Sequence, residues 1–204
     1  MNDVKKGAMN RNLEMSLSDD EILSMMCRPC YYCNKNPKIA YENGIDRIDN
    51  NKGYMHDNVV SCCDICNTMK GTQNVDIFLN YCRNISINYP SENMIDENVN
   101  INKYSDIKYK AKKRDIEFNI SKLDFKIIMR FKCNYCGNTN HNSNGLDRID
   151  SMKNYDIDNI VPCCGVCNIM KNDYSLDTFI ATINRIVQKD DLKKQNQNNL
   201  MNDK

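Results

Sequence analysis

The chain has 204 residues, room for one or two domains, of which 27% are charged and 41% hydrophobic, with no Trp. That balance excludes a low-complexity or collagenous chain, and no apolar run approaches the roughly 18 residues of a membrane span. A net charge of +1 excludes a globally basic surface, so any affinity for nucleic acid has to come from local patches. The first ten residues, MNDVKKGAMN, lack the apolar core of a signal peptide, which predicts an intracellular, reducing location. In such a compartment twelve cysteines point to metal rather than to disulfides.

The elements come in two rounds. Asp3, Lys5, Ala8, Arg11, Glu14 and Ser18 match Asp106, Lys108, Ala111, Arg114, Glu117 and Ser121, an offset of 103 that also relates Cys30 to Cys133 and Cys33 to Cys136. Beyond these cysteines the offset falls to 101 and runs from Asp46 and Asp147 through Lys70 and Lys171 to Phe78 and Phe179. A register this long predicts two copies of one domain, at 1–88 and 104–188, with a linker at 89–103 and a disordered tail at 189–204. Each copy is small for a generous core, which favours a metal staple.

In chain order, each copy begins with a short basic helix, clearest at Lys108 to Arg114, and a brief extended stretch, IEFNI at 116–120 in the second. A second helix follows, announced by Ser-x-x-acid capping boxes at Ser18 with Glu21 and Ser121 with Asp124. After the first Cys pair come two short strands joined by a polar loop. The second Cys pair opens a short helix, CNTMK or CNIMK. A final amphipathic helix carries Phe179, Ile180, Ile183, Ile186 and Val187 at helical spacing behind Ser175 as its N-cap. The predicted class is α+β.

The cysteine spacing is the strongest chemical signal. Cys30-x2-Cys33 with Cys63-x2-Cys66, and Cys133-x2-Cys136 with Cys164-x2-Cys167, each present four sulfurs to one tetrahedral ion, predicting two structural Zn2+ per chain. Each such site would lower the net charge by about two. Cys62 and Cys163 adjoin a ligand and offer an alternative Cys-x3-Cys pairing; Cys27 and Cys82, which have no counterpart in the other round, read as small core residues.

Between and just after the Cys pairs lie Asp46, Arg47, Tyr54, Asn58, Asn67 and Lys70, repeated as Asp147, Arg148, Tyr155, Asn159, Asn168 and Lys171. The strings DRIDNNKGYMHDNVVSCCDICNTMK and DRIDSMKNYDIDNIVPCCGVCNIMK resemble the motif of the HNH (ββα-metal) endonucleases, with its Asp-His step, its middle Asn and its Cys-Asn-x-x-Lys helix start. Both copies carry Arg where that family has its general-base His. No His fills the place in both: His56 faces Ile157 across the repeat, and His141 lies in the loop where the offset changes. Either the site is inactive or another residue serves.

Some short HNH restriction enzymes resemble the second case. They have Asp-Arg, a Tyr seven residues after the Arg and an Asn thirteen after the Tyr, and here 54 − 47 = 155 − 148 = 7 and 67 − 54 = 168 − 155 = 13. The resemblance implies a tandem endonuclease acting on nucleic acid, foremost DNA, whose two copies could work as an intrachain pseudo-dimer. Asp46 with Asn67, and Asp147 with Asn168, would ligate Mg2+ or Mn2+ on the scissile phosphate. Arg47 and Arg148 would hold phosphate oxygens. Tyr54 and Tyr155 would activate or provide the attacking oxygen, and Asn58 and Asn159 would brace the strand loop. The alternative is a zinc protein of the same fold that binds nucleic acid or serves as a structural module without cutting.

Overall fold

A computed structural model describes residues 3–40, 42–92, 103–138 and 144–202, with side chains described to 196. The chain divides into two compact units, one formed by Met1–Cys82 with Thr182–Lys204, the other by Arg83–Ala181. Most of the predicted linker (93–102) and His141 lie outside the described residues.

In the first unit, α1 (Asp3–Asn10) and α2 (Asp19–Met26) precede a hairpin of β1 (Gly44–Arg47) and β2 (Val59–Cys62); α3 (Asp64–Lys70) and the start of α4 (Val75–Asn88) follow. Ala8, Leu17, Ile22, Ile45, Tyr54 and Val59 form its core. The strands are antiparallel, with Ile45 opposite Ser61 and Asp46 opposite Val60. A parallel bridge joins Met15 to Tyr54, so the stretch after α1 pairs with the hairpin loop. That pairing is close: a Cβ on Gly53 would lie 2.4 Å from the Glu14 carbonyl oxygen, which restricts the position to Gly. In the second unit the matching residue is Asn154, whose amide bonds both the backbone N–H and the carboxylate of Glu117 at 3.3 and 3.1 Å.

The second unit has the same order of elements: α5 (Lys103–Lys113), α6 (Lys122–Ile128), an antiparallel hairpin of β3 (Asn144–Arg148) and β4 (Ile160–Cys164), α7 (Gly165–Lys171) and the beginning of α8 (Leu176–Asn202). Tyr104, Ala111, Ile120, Phe125, Met129, Leu146, Tyr155 and Ile160 make its core. Both capping boxes form as the sequence predicts, and Ser175 Oγ accepts from the Thr178 N–H at 3.3 Å.

Two expectations need correction. Of the disordered tail expected at 189–204, the described residues are helical: α8 continues to Asn202. Within the first unit, Lys189 donates to the Cys30 carbonyl at 2.9 Å, and the Lys193 ammonium lies 3.7 Å from the centre of the Tyr31 ring. Contacts through lysine stems and cation–π attraction supplied the order that a search for apolar core formers overlooks. Cys27 is not a core residue either; it is the exposed C-cap of α2, whereas Cys82 is buried. No helix among the described residues is long and apolar enough to cross a membrane.

The Ser18 box carries a testable pH dependence. Hydrogen bonds from Ser18, then one from His56, hold the Glu21 carboxyl down at about 2 against an ordinary 4.5. A depressed folded-state value stabilises above the unfolded value and is lost as pH falls through the lower one. Ser18→Ala, which removes the hydroxyl bonds but keeps the backbone one, is therefore expected to lower unfolding stability at neutral pH. The deficit should shrink as denaturant curves are taken from pH 4.5 toward 2. A deficit unchanged by acid would contradict the role given to Glu21.

Candidate functional site

The first Cys pair of each unit sits in a tight turn. The Asn34 N–H bonds the Cys30 carbonyl and the Gly137 N–H bonds that of Cys133, both at 2.9 Å. Asn34 and Gly137 adopt φ of 58° and 68°, a left-handed geometry that Gly and Asn enter at least cost. The second pair straddles the end of the hairpin and the first turn of the next helix, with Cys63 the N-cap of α3 and Cys164 that of α7.

These turns bring Cys30, Cys33, Cys63 and Cys66 together, and likewise Cys133, Cys136, Cys164 and Cys167. Each group is buried, with all sulfurs within 4.8 Å of one another. Tetrahedral Zn–S bonds of about 2.3 Å require sulfurs about 3.8 Å apart. The Cys33–Cys63 and Cys136–Cys164 separations are 3.8 Å, far beyond the roughly 2 Å of a disulfide. The Cys-x2-Cys residues, not Cys62 or Cys163, make up the groups; the thiols of Cys62 and Cys163 instead donate to the carbonyls of Cys63 and Cys164.

Four thiols at this spacing cannot ionise independently. Cys30 is drawn far below the thiol range by hydrogen bonds from Cys33 first, then Cys62, Cys63 and Cys66, while its bond to Cys66 pushes that thiol well up. Cys133 and Cys167 diverge in the same way. A dication supplies the charge that lets all four become thiolates. Both groups could hold structural zinc.

The polar residues behind the hairpin divide into two sets. Asp46 and Asp147 are buried and tied to a fully buried lysine. Lys70 Nζ lies 3.2 and 3.0 Å from the two Asp46 carboxylate oxygens and 2.9 Å from the Arg47 carbonyl. Lys171 Nζ lies 3.3 Å from Asp147 and 2.9 Å from the Arg148 carbonyl. Tyr32 and Tyr135 donate to the same carboxylates at 2.6 and 2.7 Å. Burial, then the adjoining Asp, pushes both phenols far up, so they remain donors. Burial also raises the Asp147 carboxyl, against the pull of Lys171. Each tyrosine packs edge-on against the phenylalanine of a later helix, Tyr32 on Phe78 and Tyr135 on Phe179.

The second set surrounds Tyr54 and Tyr155. Their rings belong to the cores, but each hydroxyl oxygen accepts from an exposed arginine, Arg11 at 2.8 Å and Arg114 at 3.0 Å. The Arg47 and Arg148 guanidinium carbons lie 5.4 and 5.3 Å from these ring centres. Arg47 is not an open phosphate ligand: it is buried, and Nη1 donates to the Asn50 and Lys52 carbonyls at 2.9 and 2.6 Å. Arg148 is half-buried and bonds the Lys153 carbonyl. Asn58 braces the loop, accepting from the Asp49 N–H at 2.8 Å and donating to the Asp49 and Gly53 carbonyls at 2.9 Å; Asn159 makes the equivalent bonds. Asn67 and Asn168 are exposed on α3 and α7.

In the second unit a cleft of about 730 Å3 draws four of the sequence candidates together: Asp147, Arg148, Tyr155 and Asn168 all line it. Lys110 and Lys113, from the end of α5, and the adjoining Arg114 line the same cleft. Sequence reasoning marked the basic helix without linking it to the tyrosine, although Arg11 and Arg114 occupy matching places in the repeat. It missed Tyr32 and Tyr135, whose one available signal is that each directly precedes a ligand or ligand-spaced cysteine. His56 bonds Glu21 at 2.7 Å and Ser16 at 3.3 Å, at the cap of α2.

The donors expected for Mg2+ or Mn2+ do not fit that role as arranged. A hard dication takes about six oxygen ligands, but Asp46 already has both oxygens on Lys70, and Asp147 shares its carboxylate with Lys171 and Tyr135.

No protein-family model matches the chain, and no solved structure matches it. It is 38% identical over 184 residues to an uncharacterized protein of Acanthamoeba polyphaga mimivirus, a similarity covering 86% of this chain and 34% of that protein. The chain thus spans about a third of that relative's length.

Proposed function

We propose that the chain is an endonuclease of the HNH kind, built from two copies of a zinc-stapled ββα-metal domain and hydrolysing phosphodiester bonds in nucleic acid, foremost DNA. The observation that carries this reading is the 730 Å3 cleft, in which Tyr155, Arg148, Asp147 and Asn168 meet Lys110 and Lys113 of α5 and the adjoining Arg114, all three exposed. A phosphodiester is the anion suited to such a lining. Arg114 and the two lysines would hold non-bridging oxygens, and the hydroxyl of Tyr155, which lines the same cleft, would attack phosphorus or activate the attacking oxygen. Each copy supports the reading through the same arginine-to-tyrosine bond.

A second reading has an observation of its own. The carboxylate in the cleft is committed to a lysine and a tyrosine, which suits a protein that binds phosphates without cutting. Plasmid nicking by the purified, zinc-loaded chain separates the two, run with Mg2+, with Mn2+ and with EDTA, and with zinc content measured in the same samples. Nicking by wild type that Arg114→Ala weakens is the expected result. Retention of the plasmid without nicking under every condition would leave the binding reading. In either case Lys110→Ala with Lys113→Ala should weaken DNA binding and reduce the log–log salt slope by about 0.9 per lost phosphate contact. An unchanged slope would remove α5 from the interface.

A further inference from the structure

Lys70 and Lys171 are 0% exposed, and lysine is almost never buried so completely unless its charge is paired. Each closes the short helix opened by the second Cys pair and turns its ammonium onto the aspartate of the preceding strand and the next carbonyl along. Joining helix to strand does not require this. A buried ion pair is frequently no more stabilising than apolar side chains of the same volume, and the pair occurs in both units. Tyr32 and Tyr135 add a hydrogen bond to the same carboxylates. Together, ammonium and phenol provide Asp46 and Asp147 with the positive charge and donor contacts that a hydrated dication would bring. A second cation on either carboxylate would have to share it with an ammonium already 3.0 to 3.3 Å from its oxygens.

We propose that the Lys70 and Lys171 ammonium groups stand in place of a divalent cation beside Asp46 and Asp147, so that the protein takes a phosphodiester without Mg2+ or Mn2+. Lys171 acts as a charge-compensating, positioning residue: it is fully buried, and contact with the anion falls to Arg114, Lys110 and Lys113 of the cleft. The identity of the anion rests on the nucleic-acid reading above; the exclusion of the dication from these carboxylates does not.

The test is a Mn2+ titration of the full zinc-loaded chain, with free Mn2+ followed by electron paramagnetic resonance. Wild type is expected to show no saturable Mn2+ site across the millimolar range. Lys70→Met and Lys171→Met, by releasing the carboxylates, should each create one. Binding of a fluorescein-labelled duplex by the zinc-loaded chain should be as tight with no added divalent cation as in Mg2+, in the absence of chelator, which would strip the structural zinc. Saturable Mn2+ binding by wild type that disappears in Asp46→Asn with Asp147→Asn would overturn the proposal. Should the methionine variants lose zinc or helical signal, the comparison of wild type with the asparagine variant decides alone. If the duplex is not bound and wild type takes up no Mn2+, the nucleic-acid reading fails, and with it the phosphodiester, while the exclusion of the dication from Asp46 and Asp147 stands. Cleavage that requires a saturable Mn2+ site does the reverse.

Discussion

Cys33→Ser is expected to reduce bound zinc from two ions per chain to one and to unfold the first unit while leaving the second folded. The two four-cysteine groups lie in separate compact units and share no residue. Structural zinc contributes an apparent 10–16 kcal/mol to the folding of small zinc domains, as much as the whole stability of a typical domain, about 5–15 kcal/mol. The buried cluster of Ala8, Leu17, Ile22, Ile45, Tyr54 and Val59 packs the helices on the hairpin but does not replace the sulfur-to-metal bonds that tie the two Cys turns together. Elemental analysis gives the stoichiometry and amide hydrogen exchange shows which unit opens. The end of α8 should exchange with the first unit, since Thr182–Lys204 belongs to it. Wild type that is folded with almost no zinc would remove the staple altogether. Two ions retained in the variant would mean that Cys62 had taken the place of a lost ligand.

Tyr54→Phe combined with Tyr155→Phe is expected to lower the nicking rate by at least about 100-fold, the lower end of what a positioned acid–base group supplies. Zinc content and duplex affinity should stay as in wild type. Only two hydroxyl oxygens are removed; the rings keep their places in the cores, and the arginines that bonded those oxygens are exposed and can turn to water. The single variants separate the units. A larger loss from Tyr155→Phe would fit the cleft that this residue shares with Asp147 and Asn168. Nicking at the wild-type rate by the double variant would exclude tyrosine as the activating group. His56 would then be the next residue to examine, although its ring is already bonded to Glu21 and Ser16.

Much of this was legible in the chain because it rests on short-range rules. Cysteines two apart must turn back on themselves, so the four-sulfur groups could be read from spacing alone. Ser18 with Glu21 and Ser121 with Asp124 cap helices through bonds spanning three residues, and the 103 and 101 offsets carried the order of elements from one half to the other. The partners of the polar residues were a different matter. Asp46 meets Lys70 across 24 residues and Tyr32 across 14, and Arg11 reaches Tyr54 across 43. No local pattern encodes which cation will arrive at a carboxylate once helix and hairpin pack, and so an aspartate that the family resemblance assigns to a metal proves to be held by an ammonium. The same applies to α8. Its final turns are polar in sequence, and only the packed structure shows Lys189 and Lys193 meeting the Cys30 carbonyl and the Tyr31 ring, because a lysine's contribution to packing depends on what its stem finds to lie against.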